Sequence, residues 1–489
     1  MSILLIVIVI LPLVSCAASL TRSVRLGEFA TLGAGVVCFV LSLTLAFSVR
    51  HGTERHALGS WLHLDALGAI FLLATGLLFA AGAIFSIGYV RAGNDRTGHR
   101  GYARRYYAYL NLFGWTMVLV PLMNDFATLW VAIELTTIVS VLLVAIDRTD
   151  AALEAAWKYV LIASVGLGIA LLGVIVLYAA GTSALGDTYV PRFGRYLAMG
   201  AHLDAVPVQF AFLLAVVGFG TKVGFAPLHT WLPDAHSEAP GPVSALLSGA
   251  LLANAFYGIL RFDQITTVAG GDSFPRHVLL VFGALSLLIA GLVVVRQENY
   301  KRLLAYSTIE HMGVIALGIG FGVQIAVIGA LFHVLNHAAA KGLAFFGSGV
   351  ILRRYDTKEI DGVRGAARAL PVSGPMFLAG ALALGGLPVS GIFRSEFQIV
   401  SGGFQKPEYV WVTLLIVFVN LAFLGVVWHA GRMVLTPASD TTVRGETSWS
   451  MVTAMALCLI VVIGLGLHVP DDLATLLQHA ASSLATGVN

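Results

Sequence analysis

GTKVGFAPLHTWLPDAHSEAPGPVSALLSGALLANAFYGILRF, residues 220–262, decides how the chain is read. Lys222 lies in an apolar run that begins near Val208. A proline-rich turn follows, with His229, His236, Asp234 and Glu238, and then a second apolar run. An ammonium at the centre of a membrane helix costs roughly 2.5–3.5 kcal/mol even on lenient insertion scales, so a lysine inside a span marks function. Pro227 lacks an N–H and breaks the helix just after that lysine. Transporters place interrupted helices of this kind at ion sites.

Outward from this stretch, the 489 residues are 58% hydrophobic and 11% charged, a balance that excludes a soluble protein. A helix needs about 20 apolar residues to cross a bilayer. The expected fold is all-α and polytopic, with about fourteen transmembrane helices. They fall near 2–19, 29–49, 64–90, 106–123, 126–146, 154–180, 207–229, 242–261, 277–295, 303–321, 323–351, 371–393, 409–435 and 449–469. The connecting segments are too short for a soluble domain. Basic residues set the orientation. Arg91, Arg96, Arg100, Arg104 and Arg105 follow the third span, and Arg353, Arg354, Lys358, Arg364 and Arg368 follow the eleventh. With those loops in the cytoplasm, both termini are expected outside. The net charge of +3 reflects topology, not nucleic-acid affinity. The first span lacks a basic start, since no Lys or Arg precedes Arg22, and reads as an uncleaved helix rather than a signal peptide.

Cys16, Cys38 and Cys458 are scattered through the spans, with no CxxC, HExxH or GxxxxGK(S/T). Clustered thiolates are the usual holders of metal centres and iron–sulfur clusters, so no metal or cofactor is expected in this chain.

Two five-helix blocks are expected, 106–262 and 277–435, between N-terminal helices in 1–105 and a C-terminal helix in 436–489. An odd number of helices per block inverts one relative to the other, the inverted repeat of many transporters. Each block breaks its fourth helix beside an ionisable group: Lys222 with Pro227, and Gly386, Pro388 and Gly391 with Glu396.

Other ionisable residues sit at membrane depth. Glu134, in LWVAIELTTIV, must be paired or protonated, and Lys222 is its natural partner. A structural ion pair would explain both residues, but buried pairs stabilise poorly against apolar replacements, which favours proton handling. Lys158 stands four residues after Glu154 and is equally well read as a snorkelling surface lysine. His333, His337 and Lys341 recur at i, i+4 and i+8, a stripe rising roughly 6 Å per step. One histidine on such a face is usually a core residue; three titratable groups in register suit a proton wire. Metal binding by the histidine pair is disfavoured by the neighbouring Lys341 and the lack of a third ligand. Glu310 and His311 add another polar pair, and the Trp231–Asp234 turn between His229 and His236 reads as a capped corner or as the mouth of a half-channel.

KVGFAPLHTWLPDAHSEAPGPVSALLSG, YKRLLAYSTIEHMGVIALG (300–318) and FRSEF (393–397) resemble the antiporter-like membrane subunits of respiratory complex I, of cation/proton antiporters and of group 4 NiFe hydrogenases. The likeness runs from about 100 to 435. It is nearest to the M-type subunit of complex I and to hydrogenase-4 component F of formate hydrogenlyase-type complexes. It implies a bacterial or archaeal cytoplasmic (inner) membrane protein that translocates protons within a multisubunit redox complex. NiFe, iron–sulfur or flavin centres would lie in partner subunits. By position, Glu134 matches the glutamate of span five, Lys222 the proton-releasing lysine of span seven, and Glu396 the last ionisable group. His333, His337 and Lys341 match polar positions of span eleven. Lys158, His229, His236, Asn254, Glu310 and His311 form a secondary polar axis. One departure stands out: where the M-type subunit has GVLLKTAAYGLLRF, this chain has GALLANAFYGILRF, with Ala253 and Asn254 in place of the lysine region. Asn254 with water, or the span-eleven stripe, would bridge the gap. The alternative reading is a stand-alone or Mrp-type cation/proton antiporter subunit. More distant alternatives are a subunit coupled to a soluble carbon-handling enzyme and a structural anchor.

Overall fold

In a computed structural model that describes residues 1–93, 99–186, 189–407, 409–438 and 443–486, the apolar runs are helices. The first are α1 (Ser2–Ser19), α2 (Val24–Val49), α3 (Ala66–Ala92), α4 (His99–Leu119), α5 (Phe126–Val144) and α6 (Asp150–Leu185). A hairpin of β1 (Arg55–Ala57) and β2 (Leu62–Leu64) joins α2 to α3. Then come α7 (Phe193–Met199), α8 (Ala205–Val223), α9 (Leu232–Glu238) and α10 (Gly241–Leu246). A π-helical turn at Leu247–Leu251 carries α10 into α11 (Leu252–Gly270). The remainder are α12 (Ser273–Val294), α13 (Tyr300–Gly320), α14 (Gln324–Tyr355), α15 (Ala366–Ala369), α16 (Ser373–Leu384), α17 (Gly391–Gly403), α18 (Tyr409–Leu435), α19 (Trp449–Leu467) and α20 (Asp471–Thr486).

Local chemistry sets the boundaries. Side-chain oxygens of Asp65, Asp125, Thr149, Asp204, Asn299 and Ser390 accept hydrogen bonds from first-turn N–H groups of the helices they precede. Gly224 ends α8 in the left-handed conformation, at φ 85°, so the seventh span stops at Val223 rather than running to 229. Gly386, at φ 75°, and Pro388 divide the span expected at 371–393 into α16 and α17.

Twelve helices among the described residues are long and apolar enough to cross a membrane. Two of the fourteen expected spans fall short of that measure. Arg104 and Arg105 dilute the apolar run of α4, and α16 and α17 are each too short alone. The C-terminal segment holds two helices where one was expected, because Pro470 separates α19 from the amphipathic α20. Of the basic residues used for orientation, Arg96 lies outside the described residues.

Residues 241–266 are wholly buried, and α13, α14 and α3 are nearly so, whereas α1 and α18 are largely exposed. The ionisable residues of the membrane interior therefore sit mostly on central helices. Peripheral α6 closes on α8 through glycine: a Cβ at Gly218 would run into the Ala170 backbone nitrogen. At Gly168, on α6, a Cβ would meet nothing within 4 Å. Gly218→Ala is therefore expected to cost about 1–3 kcal/mol through overpacking and to lower the melting temperature in detergent, while Gly168→Ala leaves it unchanged.

Candidate functional site

The first polar cluster joins α5, α6 and α8. Lys222 occupies the last turn of α8, where unpaired carbonyls and the helix dipole favour a cation. Its Nζ donates to Thr137 Oγ1 at 2.8 Å and to the Tyr159 hydroxyl, and it lies 4.6 Å from the Tyr159 ring centroid. Tyr159 shares a 2.7 Å hydrogen bond with Ser140. Glu134, Thr137 and Ser140 follow one another at three-residue steps on α5, so neighbours along this row face similar directions. Glu134 Oε1 accepts from Ser164 Oγ at 3.2 Å, and its Oε2 is buried without a hydrogen-bond partner. The expected Glu134–Lys222 ion pair is not formed: Glu134 is held by Ser164, and Lys222 is satisfied by Thr137 and Tyr159.

The second cluster joins α13, α14 and α17. Lys341 donates to the Leu304 carbonyl at 2.9 Å and to Ser307 Oγ. One turn beyond Ser307, His311 Nδ1 lies 3.0 Å from His333 Nε2, and His333 Nδ1 lies 2.9 Å from Ser395 Oγ. The Ser395 hydroxyl also reaches the carbonyls of Gly391, at 3.0 Å, and Ile392, at 2.8 Å. If that hydroxyl donates to a carbonyl, His333 Nδ1–H donates to Ser395 and His333 Nε2 accepts from His311 Nδ1–H, a directional chain across three helices. The His337 ring sits 5.1 Å from that of His311 and 6.4 Å from that of His333, and both its nitrogens are buried without partners. Glu396 Oε1 stands 4.0 Å from His311 Nδ1 and accepts no hydrogen bond. Glu310 lies within electrostatic range of Lys341 and Glu396.

The helix break makes this meeting possible. A Cβ at Gly391 would collide with the Asn336 side-chain oxygen, and one at Gly386 would come within 2.7 Å of Glu396 Oε2. The stripe of His333, His337 and Lys341 is fully buried, as is Lys222; Glu396 is 13% exposed.

Between the clusters lies the 224–240 segment. Trp231 is fully buried, so the turn is no surface corner; its Nε1 donates to the Thr221 carbonyl at 2.8 Å and its ring stacks on Tyr159, centroids 4.3 Å apart. His236 lies 6.5 Å beyond Trp231 and is held by the Leu232 carbonyl through Nδ1, leaving Nε2 buried and unpartnered. His229 is buried 6.1 Å from the Tyr306 ring. Asn254 turns away: its amide donates to Met117 O at 3.0 Å and to Thr75 Oγ1 at 3.3 Å. Lys158 is at the surface, 47% exposed, paired with Glu154 at 2.6 Å and Asp234 at 3.2 Å. Asp234 also binds Arg302, and this network lines a 490 Å³ cleft with Glu238 and Glu359.

Thr137, Ser140, Tyr159, Ser164, Ser307 and Ser395 belong to these clusters and were missed from sequence. The three-residue spacing from Glu134 was an unused signal for Thr137 and Ser140, and nothing local marks Tyr159. Donor atoms of His311, His333 and Glu396 lie within 4.8 Å of one another, a set able to hold a metal ion, but the two imidazoles already bond each other.

The family model described as NADH:quinone oxidoreductase/Mrp antiporter, TM, matches residues 123–425. The chain is 34% identical to the Hydrogenase-4 component F homolog of Methylacidiphilum infernorum, with 91% of each chain covered. It is 28% identical to NADH-quinone oxidoreductase subunit N of Desulforudis audaxviator, over 97% of this chain and 98% of that one. Its fold matches a chain of the membrane-bound sulfane sulfur reductase, an archaeal respiratory membrane complex, with TM-score 0.86 and 22% identity, covering 98% of this chain and 97% of that one.

Tyr159→Phe removes only the hydroxyl shared by Lys222 and Ser140. It is expected to destabilise the chain by about 1–3 kcal/mol, the cost of a buried donor losing its acceptor, seen as a lower melting temperature in detergent with helix content preserved.

Proposed function

This chain belongs to the NADH:quinone oxidoreductase/Mrp antiporter family of antiporter-like membrane subunits, and we propose that it carries protons for a multisubunit redox complex along the buried axis from Glu134 to Glu396. The observation that carries the reading is the pair of buried clusters, Lys222 with Tyr159 and Thr137, and His311 with His333 and Ser395, on helices that pack into one body. Residues 106–262 and 277–435 act as two inverted halves, each with a broken helix beside its ionisable group.

In this mechanism Glu134 and Lys222 alternate between a closed pair and the open arrangement described above. Closing the pair holds the lysine charged. Opening it leaves the ammonium with neutral hydroxyls, which stabilise its charge less than a carboxylate does, and the proton is released. It passes the Trp231 turn by way of His236 and Lys341. Waters at the unpartnered nitrogens of His236 and His337 complete steps longer than a hydrogen bond. His311 and His333 then deliver the proton toward Glu396. Lys158 and Asp234 sit at the cytoplasmic mouth, in an inner membrane with both termini outside. Electron transfer takes place in partner subunits that hold NiFe, iron–sulfur or flavin centres.

Lys222→Ala and Glu134→Gln should each abolish redox-driven proton translocation while the complex still assembles. Proton movement is followed with a pH-sensitive dye in sealed membranes and assembly by co-purification. Normal pumping in both variants refutes the axis. Metal and flavin analysis of the purified complex tests the redox partnership: a complex without either supports an Mrp-type antiporter instead.

A further inference from the structure

A second group of ligand-type side chains lies outside this axis, at the end of the bundle opposite Asp234. In the β1–β2 hairpin, His56 is directly opposite His63 in an antiparallel pair, so both imidazoles leave the same face. Glu54 precedes His56 by two residues and shares that face, because side chains alternate along an extended strand. The two rings are 5.0 Å apart. Both Nε2 atoms converge on one oxygen, Glu54 Oε2, each at 3.2 Å, and the three donor atoms lie within 4.8 Å of one another.

This spacing is that of ligands around one ion. Zinc binds histidine nitrogen and carboxylate oxygen at about 2.0–2.2 Å, which places neighbouring tetrahedral ligands about 3.3 Å apart. The hairpin is tied to its neighbours. Asn124 Nδ2 donates to the Ser60 carbonyl at 2.8 Å, Arg192 donates to the Gly59 carbonyl at 3.0 Å, and Leu62 bridges to Met123. His63 is buried, which fixes its ring, while Glu54 and His56 are exposed, which gives an ion access. A 570 Å³ cleft lined by the same three residues with Asn124 and Tyr189 opens beside them, leaving room for a fourth ligand such as water.

We propose that Glu54, His56 and His63 form a binding site for a divalent transition-metal ion of the zinc class. Two imidazoles with a single carboxylate favour zinc, cobalt or nickel over magnesium or calcium, which prefer all-oxygen shells. The ion would cross-link the two strands of the hairpin that seats on Asn124, the residue before the Asp125 cap of α5. The site is independent of the proton axis, and its test does not depend on transport.

The full chain is purified in detergent without a polyhistidine tag and titrated with Co²⁺, whose visible absorption intensifies on tetrahedral coordination. Wild type is expected to bind one equivalent, displaced by Zn²⁺, with a rise in melting temperature. His56→Ala, at an exposed position, should keep the metal-free melting temperature and weaken binding by at least about tenfold, the lower bound for disturbing even the outer shell of a metal site. Glu54→Gln should weaken it as well, and His333→Ala should leave it unchanged. No binding by wild type overturns the proposal, and so does binding that survives His56→Ala but is lost in His333→Ala.

Discussion

An ammonium group inside a bilayer must find oxygen, and much of the interior of this protein is arranged to provide it. Lys222 finds the hydroxyls of Thr137 and Tyr159, and Lys341 finds the hydroxyl of Ser307 and a backbone carbonyl. Lys301, fully buried near one end of α13, finds the carbonyls of Ser237 and Ala239. None of these three lysines is closed onto a carboxylate. For Lys222 the distinction matters, because a hydroxyl both donates and accepts. A lysine held by hydroxyls can lose its proton and keep its hydrogen bonds, whereas one locked to a buried carboxylate would strand that charge on deprotonation. The cage suits a group that changes charge state.

The contrast with the fixed charges supports this reading. Arg261 is fully buried and bonds Asp65 at 2.7 Å, with Tyr257 and Gln264 supplying further partners. Asp65 at the same time caps α3. That pair has every mark of a structural clamp: a guanidinium that does not deprotonate, a carboxylate with a second duty, and anchorage between elements at one end of the bundle. The lysines and histidines of the middle carry none of these marks. Their partners are neutral, and buried polar atoms remain unpartnered on Glu134, His236, His311, His337 and Glu396. Unpartnered atoms are costly when buried, and bridging water would satisfy them.

What could be read in the sequence was whatever appears as a one-dimensional anomaly. A lysine within an apolar run gave Lys222, a spacing of four gave the His333–His337–Lys341 stripe, and Pro227, and Gly386 with Pro388 and Gly391, gave the helix breaks. Partners on other helices left no such trace. Lys158 drew attention as a charge, yet it is exposed, and its neighbour Tyr159 is the residue that holds Lys222. A tyrosine among apolar residues is unremarkable by composition, and its importance arises only from the close packing of α6 on α8. The link from His311 to His333 likewise crosses from α13 to α14 and was invisible as spacing. The α4 helix starts at His99 rather than at the expected 106, and α20 was not separated from α19, because charge at a helix end and a short amphipathic helix both blur a hydropathy signal.

Beside Ala253, which stands at the place of the M-type lysine, Asn254 was expected to bridge the gap. Its amide is committed to Met117 and Thr75, on the side of α3 and α4, so it does not reach toward Lys341. On another side, the Tyr159–Trp231 stack leads to His236, and Ser244 binds the His236 carbonyl at 2.9 Å. The π-turn at Leu247–Leu251 lies just beyond, with Ser248 bonded to Thr308 of α13 at 2.7 Å. Such turns interrupt the regular hydrogen-bond ladder and are frequent at functional sites. His236 leaves one ring nitrogen, Nε2, buried and unpartnered beside this turn. On the proposed path, the relay would therefore pass through His236 rather than Asn254.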